Sequence, residues 1–424
     1  AGAWCGQNKY LSAIKNAFQN FMPLTIAGAI GVLWCNVLVN ESTGLGIFFK
    51  PIMALEFLNP AFQAVNFCTI SCITVGITLG IAQEIGVWNM GAERAGYIPG
   101  LVGLAAWLSV TNTSHMVEGA KEAFTGIAGN ELGATGLFTG MIIGVLSVEL
   151  FCFFEKQDAL KIKMPEQVPP GVARAFEVLV PATITLIITA CIGSACYNLT
   201  GLYLNDVIKN GIQGPLGAVG ATIPGVMIIY LVIMLFWLVG IHGNNMLSAV
   251  KEALFTPLAL ENVEKFNKGE KPTNIINMYA LQMWGEFGGS GVTIGLVIAI
   301  MIFGKREDNK AIATLSLVPG LFNINETVTF GIPMVLNPIL GIPFVVAPLV
   351  TIIIGYVLTV IGFCPVACLT VPWTTPPIVF GFLACGANVM GAVTQAILIV
   401  VSTVIYVPFL IAYEKYQNKQ AAEA

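Results

Sequence analysis

Four short stretches bring together side chains that could hold a hydroxylated ligand. Residues 320–338 (GLFNINETVTFGIPMVLNP) carry Asn323, Asn325, Glu326, Thr327 and Thr329 among glycines and prolines. Residues 240–245 (GIHGNN) set His242 between two glycines, followed by Asn244 and Asn245. Residues 285–293 (GEFGGSGVT) add Glu286 on a glycine-rich turn, and 369–377 (LTVPWTTPP) add Trp373 flanked by Thr374 and Thr375. Carboxylates and amides accept from and donate to vicinal hydroxyls, and an aromatic face packs on the apolar face of a sugar ring. Apolar walls with a few convergent polar groups are the usual composition of a ligand site. A histidine near its ordinary pKa can share or take a hydroxyl proton.

Each of these residues also has a plainer reading. A lone membrane histidine is often hydrogen-bonded packing, and Glu326 could be a structural carboxylate paired with a helix terminus. Trp373 fits an interfacial aromatic belt. Glu286 could be solvated or cap the glycine-rich turn. His115 sits in a polar loop (NTSHMVEGAKE) and is expected to face solvent.

The elements that must position these groups lie in a membrane. The 424 residues are 56% hydrophobic and only 10% charged, against about 25% charged in an ordinary soluble domain. Apolar runs of about 18 or more residues recur, the length at which a helix spans a bilayer. A net charge of −4 gives no reason to expect a nucleic-acid partner. The first 20 residues lack a short apolar core followed by a small-residue cleavage site, so no signal peptide is expected. Most of the ten cysteines lie inside apolar runs. The pairs Cys68/Cys72 and Cys364/Cys368 have i,i+4 spacing, but no further ligand lies close in sequence to complete a metal site. No metal and no cofactor are expected.

The fold class is therefore an all-α polytopic membrane protein, with about ten transmembrane helices plus one or two re-entrant hairpins. Residues 1–20 read as an amphipathic interfacial helix, with Tyr10, Leu11, Ile14 and Phe18 on one face; the start of the first span is an equal alternative. Candidate spans follow at about 21–40, 61–82, 98–112, 134–154, 176–197, 218–241, 287–304, 339–363 and 387–412. The pieces 311–338 and 364–385 are apolar but broken, by Pro319, Gly320, Gly331, Pro333 and Pro338 in one and by Pro365, Pro372, Pro376 and Pro377 in the other. Interrupted helices are the best sequence pointer to a transporter site. A carboxylate at membrane depth costs roughly 2.5–3.5 kcal/mol, so Glu326 should face a cavity, a partner or a ligand.

The polar loops at 155–174 and 260–273 carry several lysines and count as cytoplasmic by the positive-inside rule. Lys305, Arg306 and Lys310 follow one clear span later, so either 272–286 hides another crossing or the rule fails there. The chain divides near residue 215: residues 21–214 read as a largely apolar scaffold half, 215–414 as a substrate-binding half with broken helices, and 415–424 as a cytoplasmic tail.

With those motifs in order, the chain resembles the membrane-spanning IIC component of the bacterial phosphotransferase system, in its lactose/cellobiose/diacetylchitobiose branch. The resemblance is carried by MPLTIAGAI, GIHGNN, GGSGVT, FNINE…FGIPMVLNP and VPWTTPP, and it runs from about residue 8 to residue 419. One departure is Thr327, where the family's run has proline, which loosens the turn after Glu326. The resemblance implies a homodimer in the bacterial inner membrane, with residues 21–214 as the dimerisation half and each second half holding a disaccharide near the bilayer middle. It implies that His242 and Glu326 hold the hydroxyls around the atom to be phosphorylated, as the catalytic pair. Asn244, Asn245, Asn325 and Trp373 would bind substrate with them. The phosphoryl group would come from a phosphocysteine on a cytoplasmic IIB subunit, itself supplied by IIA. No soluble stretch of IIA or IIB length and no phosphoryl-carrying residue is evident in this chain, so partners are expected to perform the transfer.

The chief rival is a proton- or sodium-coupled secondary sugar transporter with Glu326 and His242 as a proton relay. An intramembrane hydrolase pairing Glu326 with Glu286 would need carboxylates at a defined separation, which the sequence does not set. A passive channel fits a Glu, a His and asparagine-rich broken helices less well than an occluding site does.

Overall fold

The computed structural model describes residues 8–41, 46, 49–115, 124–165, 167–215, 220–332 and 334–423. Pro333 and most of the loop after His115 lie outside them, as does the amino-terminal AGAWCG. The described residues are mainly helical, and their only strands are the two-residue pair Ser114–His115 with Phe124–Thr125. Among the described residues six helices are long and apolar enough to cross a membrane, and a seventh span results if one bent pair counts as a single crossing. Ile98–Val110 and Ile223–Leu238 are apolar but only 13 and 16 residues long. The protein is a polytopic, all-helical membrane protein.

Two compact units emerge, one from Gly6–Gly28 and Ala64–Gly217, the other from Ala29–Gln63 and Ala218–Ala424. Residues 29–63 thus group with the second half of the chain, and the leading segment does not stand apart: Lys9–Leu33 is one continuous helix.

In the first unit, Ile73–Met90 packs along Ala134–Glu155 and Ile98–Val110. Apolar side chains do not drive helices together in lipid, so close backbone approach through small residues must hold them. Glycine supplies that approach: a Cβ on Gly140 would lie 2.2 Å from Thr78 Oγ1, and one on Gly103 2.3 Å from Ala82 Cβ. Trp107 and Ile143 fill the space between. An ion-pair cluster lies at the helix ends, where buried Glu155 accepts from Arg94 and Arg174 and both arginines also reach Glu177.

The second unit contains the broken helices. Ile294–Phe303 and Gly341–Val360 both pack on Val389–Glu423, but the stretches leading into them are interrupted. The region expected as one span at 287–304 is instead a bent pair, Met278–Val292 with Ile294–Phe303, at 59°. Residues 272–286 therefore supply a half-helix, Met278–Gly285, not a crossing of their own: 8 residues rise about 12 Å, against about 30 Å of hydrocarbon. The piece 311–338 is two short helices, Glu307–Leu321 and Glu326–Gly331, and 364–385 is irregular until Val379–Ala384. Among the non-glycine residues with positive φ described, Val292, Asn323, Leu336 and Ile378 fall in these interrupted stretches, and Ala387 lies just after the last of them, before Val389–Glu423.

Candidate functional site

His242 owes its position to the two glycines around it. Gly240 turns the chain at φ +80°, and His242 then caps the amino terminus of Gly243–Asn267, its Nδ1 accepting from the Asn245 N–H at 3.3 Å. A Cβ at Gly243 would lie 2.0 Å from the Ile233 carbonyl oxygen, so no larger residue can follow the histidine. The ring lies tilted against Trp237, with centroids 4.4 Å apart. Because Nδ1 accepts, the proton of the neutral ring sits on Nε2. That nitrogen faces Glu326, 3.9 Å from Oε1. The separation exceeds a direct hydrogen bond, and both side chains are open, 37% and 48% exposed.

Glu326 opens the helix Glu326–Gly331, and the two asparagines before it tie that turn to its neighbours. Asn325 is buried and donates from Nδ2 to the Ser290 carbonyl at 2.7 Å. Gly289 makes the approach possible, since a Cβ there would lie 2.6 Å from that of Asn325. Asn323, in the left-handed region at φ +63°, accepts from the Gly288 N–H at 2.6 Å. Its Nδ2 donates to the carbonyls of Trp373 and Thr375. One side chain thereby joins 285–293, 320–338 and 369–377. The Trp373 ring stays exposed.

Beneath the His242 turn lies a charged group that sequence reasoning missed. Lys251, buried, pairs with Glu286 and donates to Asn244 Oδ1 at 3.3 Å. The fully buried Tyr230 donates its hydroxyl to the same Glu286 oxygen at 2.7 Å. Asn244 in turn donates from Nδ2 to Ser290 Oγ at 2.9 Å. Glu286 is thus neither solvated nor only a cap. The available signal was the seven-residue spacing of Asn244 and Lys251, two helical turns on one face; nothing in the sequence pointed to Tyr230.

The structure thus brings His242 and Glu326 into facing positions and links Asn244 to Asn325 through Ser290. Asn245 contributes its backbone N–H to the His242 ring, and its side chain is exposed. Trp373 joins through its carbonyl. His115 belongs to the first unit, its Nε2 3.2 Å from the Asn112 carbonyl. Cys364 and Cys385 approach to 3.8 Å as free thiols, and among the described residues no cluster of three or more His, Cys, Asp or Glu could hold a metal. The arrangement offers an acid–base pair, amides with set orientations and an open aromatic face.

The family model "Phosphotransferase system, EIIC" matches residues 15–348, which include His242, Glu286 and Glu326. The chain belongs to the phosphotransferase system EIIC family. Its similarity to an oligo-beta-mannoside-specific EIIC component of Bacillus subtilis (strain 168) is 33% identity over 413 residues, covering 96% of this EIIC chain and 90% of that protein. A cellobiose-specific EIIC component of Lactococcus lactis is 30% identical over 474 residues, with 98% and 96% covered. Among solved structures, ChbC, the IIC component of an N,N'-diacetylchitobiose-specific phosphotransferase system, matches with TM-score 0.90 at 29% identity, over 99% of this chain and 97% of that one. Both relatives extend the likeness past residue 348 to the Trp373 stretch. Family membership decides between the two transport readings: this EIIC chain is a multi-pass sugar-transport component of a phosphotransferase system, not a gradient-driven carrier.

Proposed function

We propose that the second unit binds a disaccharide of the cellobiose, lactose or diacetylchitobiose type and presents one hydroxyl for phosphorylation by a phosphocysteine IIB subunit. The observation that carries this reading is the facing pair His242 Nε2 and Glu326 Oε1, 3.9 Å apart and open. A hydroxyl oxygen about 2.8 Å from each atom fits between them. Nε2–H donates to that oxygen while the carboxylate accepts the hydroxyl proton, which raises the oxygen's nucleophilicity toward an incoming phosphoryl group. Asn244 and Asn325, both hydrogen-bonded to Ser290, support the wall of the site; the exposed Asn245 amide and the Trp373 ring offer polar and aromatic contacts to the rest of the sugar. The open ring is better suited to a sugar face than to a lipid belt, because Asn323 ties its backbone to the same turns that hold Asn325.

The chain works with IIB, and through it IIA, as EIIC components do. A homodimer in the bacterial inner membrane, with the first unit as scaffold, completes the proposal.

Equilibrium titration of the purified protein with cellobiose, lactose and diacetylchitobiose tests the binding step. Saturable binding of at least one of them, clearly weakened in both His242→Ala and Glu326→Gln, is the expected result. A wild-type protein that binds none of them, or variants that bind like wild type, would place the substrate elsewhere.

A further inference from the structure

Behind the proposed sugar site runs a continuous polar path. Tyr230 donates to Glu286, Lys251 pairs with Glu286 and donates to Asn244, Asn244 donates to Ser290 Oγ, and Asn325 donates to the Ser290 carbonyl. The path touches the helix that begins beside His242, the glycine-rich turn, and the residue immediately before Glu326. Its charged members are withdrawn from water: the Lys251 and Glu286 side chains are 7% and 18% exposed, and the Lys251 ammonium also lies 5.6 Å from the Tyr230 ring centroid.

Stability alone is a poor reason to keep such a pair. Desolvating two charges offsets most of their attraction, and apolar replacement of both is often neutral or stabilising. What the pair does that apolar side chains cannot is orient an amide. An asparagine side chain can turn over, exchanging acceptor for donors, whereas a lysine ammonium only donates. Lys251 therefore holds Asn244 with Oδ1 toward itself and Nδ2 toward Ser290. Glu286, fixed by Tyr230, holds the lysine. Ser290 sits in the turn whose neighbour Gly289 touches Asn325.

We propose that Lys251 and Glu286, backed by Tyr230, are positioning residues for the disaccharide site. They set the Asn244 amide and the 288–291 turn, and through these the spacing between His242 and Glu326. The proposal rests on the site reading above. It predicts that the charges matter for sugar affinity after their effect on folding has been cancelled.

The test is sugar titration and thermal melting of the purified full chain. Lys251→Met and Glu286→Gln each strand one buried charge and should lower both melting temperature and affinity. In the Lys251→Met/Glu286→Gln double variant no charge is stranded, and the melting temperature should return to within about 3 °C of wild type. Its affinity should stay about tenfold below wild type, the size of one lost charge-assisted hydrogen bond. Tyr230→Phe removes a single hydroxyl and should weaken binding about threefold while lowering the melting temperature by only about 2–4 °C. A double variant that recovers both stability and affinity shows the pair to be structural only and overturns the proposal. If the double variant fails to fold, Tyr230→Phe decides: wild-type affinity overturns positioning, weakened affinity upholds it. His242→Ala is the control that separates this proposal from its parent. Weakened binding there with normal binding in the network variants sinks positioning alone, whereas a wild-type protein that binds no disaccharide sinks both.

Discussion

The two units of this protein solve the same problem, helices in lipid, in opposite ways. In the first, Ala134–Glu155 and Pro170–Thr200 run unbroken, glycines draw the backbones together, and ion pairs collect at the helix ends. In the second, helices stop in mid-course and polar side chains close the gaps, with Asn323 bonding to three carbonyl or amide groups from two other segments. Irregular backbone at membrane depth is tolerated only where it is buried in protein or lines a cavity. All five described non-glycine residues with positive φ lie in the second unit, and backbone strain of this kind gathers at functional sites. The contrast teaches that an unbroken helix bundle needs only packing, while a site for a polar ligand needs exposed backbone turns and side chains to hold them.

Substitutions can break this contrast or sharpen it. The largest effect is expected from Glu326→Gln, which removes a charged acceptor: disaccharide affinity should fall about 100-fold by titration, while the melting temperature stays at the wild-type value. Unchanged affinity would remove Glu326 from the site. His242→Ala should follow with a loss of about tenfold, and unchanged phosphorylation kinetics would make the ring packing. Arg174→Ala tests the other unit. It takes one of two arginines from the buried Glu155 and should cost about 1–2 kcal/mol in denaturant melting with sugar affinity intact; lost affinity with normal stability would contradict a purely structural role. Trp373→Leu should weaken binding about fivefold, near 1 kcal/mol, if its ring stacks on the sugar, and a wild-type dissociation constant would refute that role. The smallest change is expected from Thr327→Pro. Thr327 lies in the first turn of Glu326–Gly331, where proline fits and removes no helical bond, so stability should rise by about 0.5 kcal/mol or hold. A large loss on melting would mean that this turn needs the threonine N–H.

The same contrast explains what was legible in the sequence. Long apolar runs such as 134–154 and 387–412 announced helices, and the clustered glycines, prolines and asparagines of 320–338 and 369–377 announced breaks. The 59° bend before Ile294–Phe303 was hidden because MYALQMW is apolar enough to read as part of a further crossing of its own. The leading helix was ambiguous because its charged face, with Lys9 and Lys15, suits an interface and a span's first turns equally; pairing of Lys9 with Glu149 uses one of those charges inside the first unit. His242 and Glu326 stood out because charge at membrane depth is costly. Lys251 did not, since its helix, Gly243–Asn267, also carries Glu252, Glu261, Glu264 and Lys265 and reads as ordinary polar surface. Its meeting with Glu286, 35 residues away, depends on tertiary structure that no local pattern encodes.

The central claim, a disaccharide site that presents its substrate to IIB, is tested most directly by uptake of radiolabelled disaccharides into vesicles carrying this chain. Uptake would be measured with and without phosphorylated IIB, and free sugar separated from sugar phosphate. Accumulation of sugar phosphate only with the phosphorylated partner, abolished by Glu326→Gln, is the predicted result. Free sugar accumulating without the partner and collapsing with an uncoupler would contradict it and make Glu326 a proton carrier.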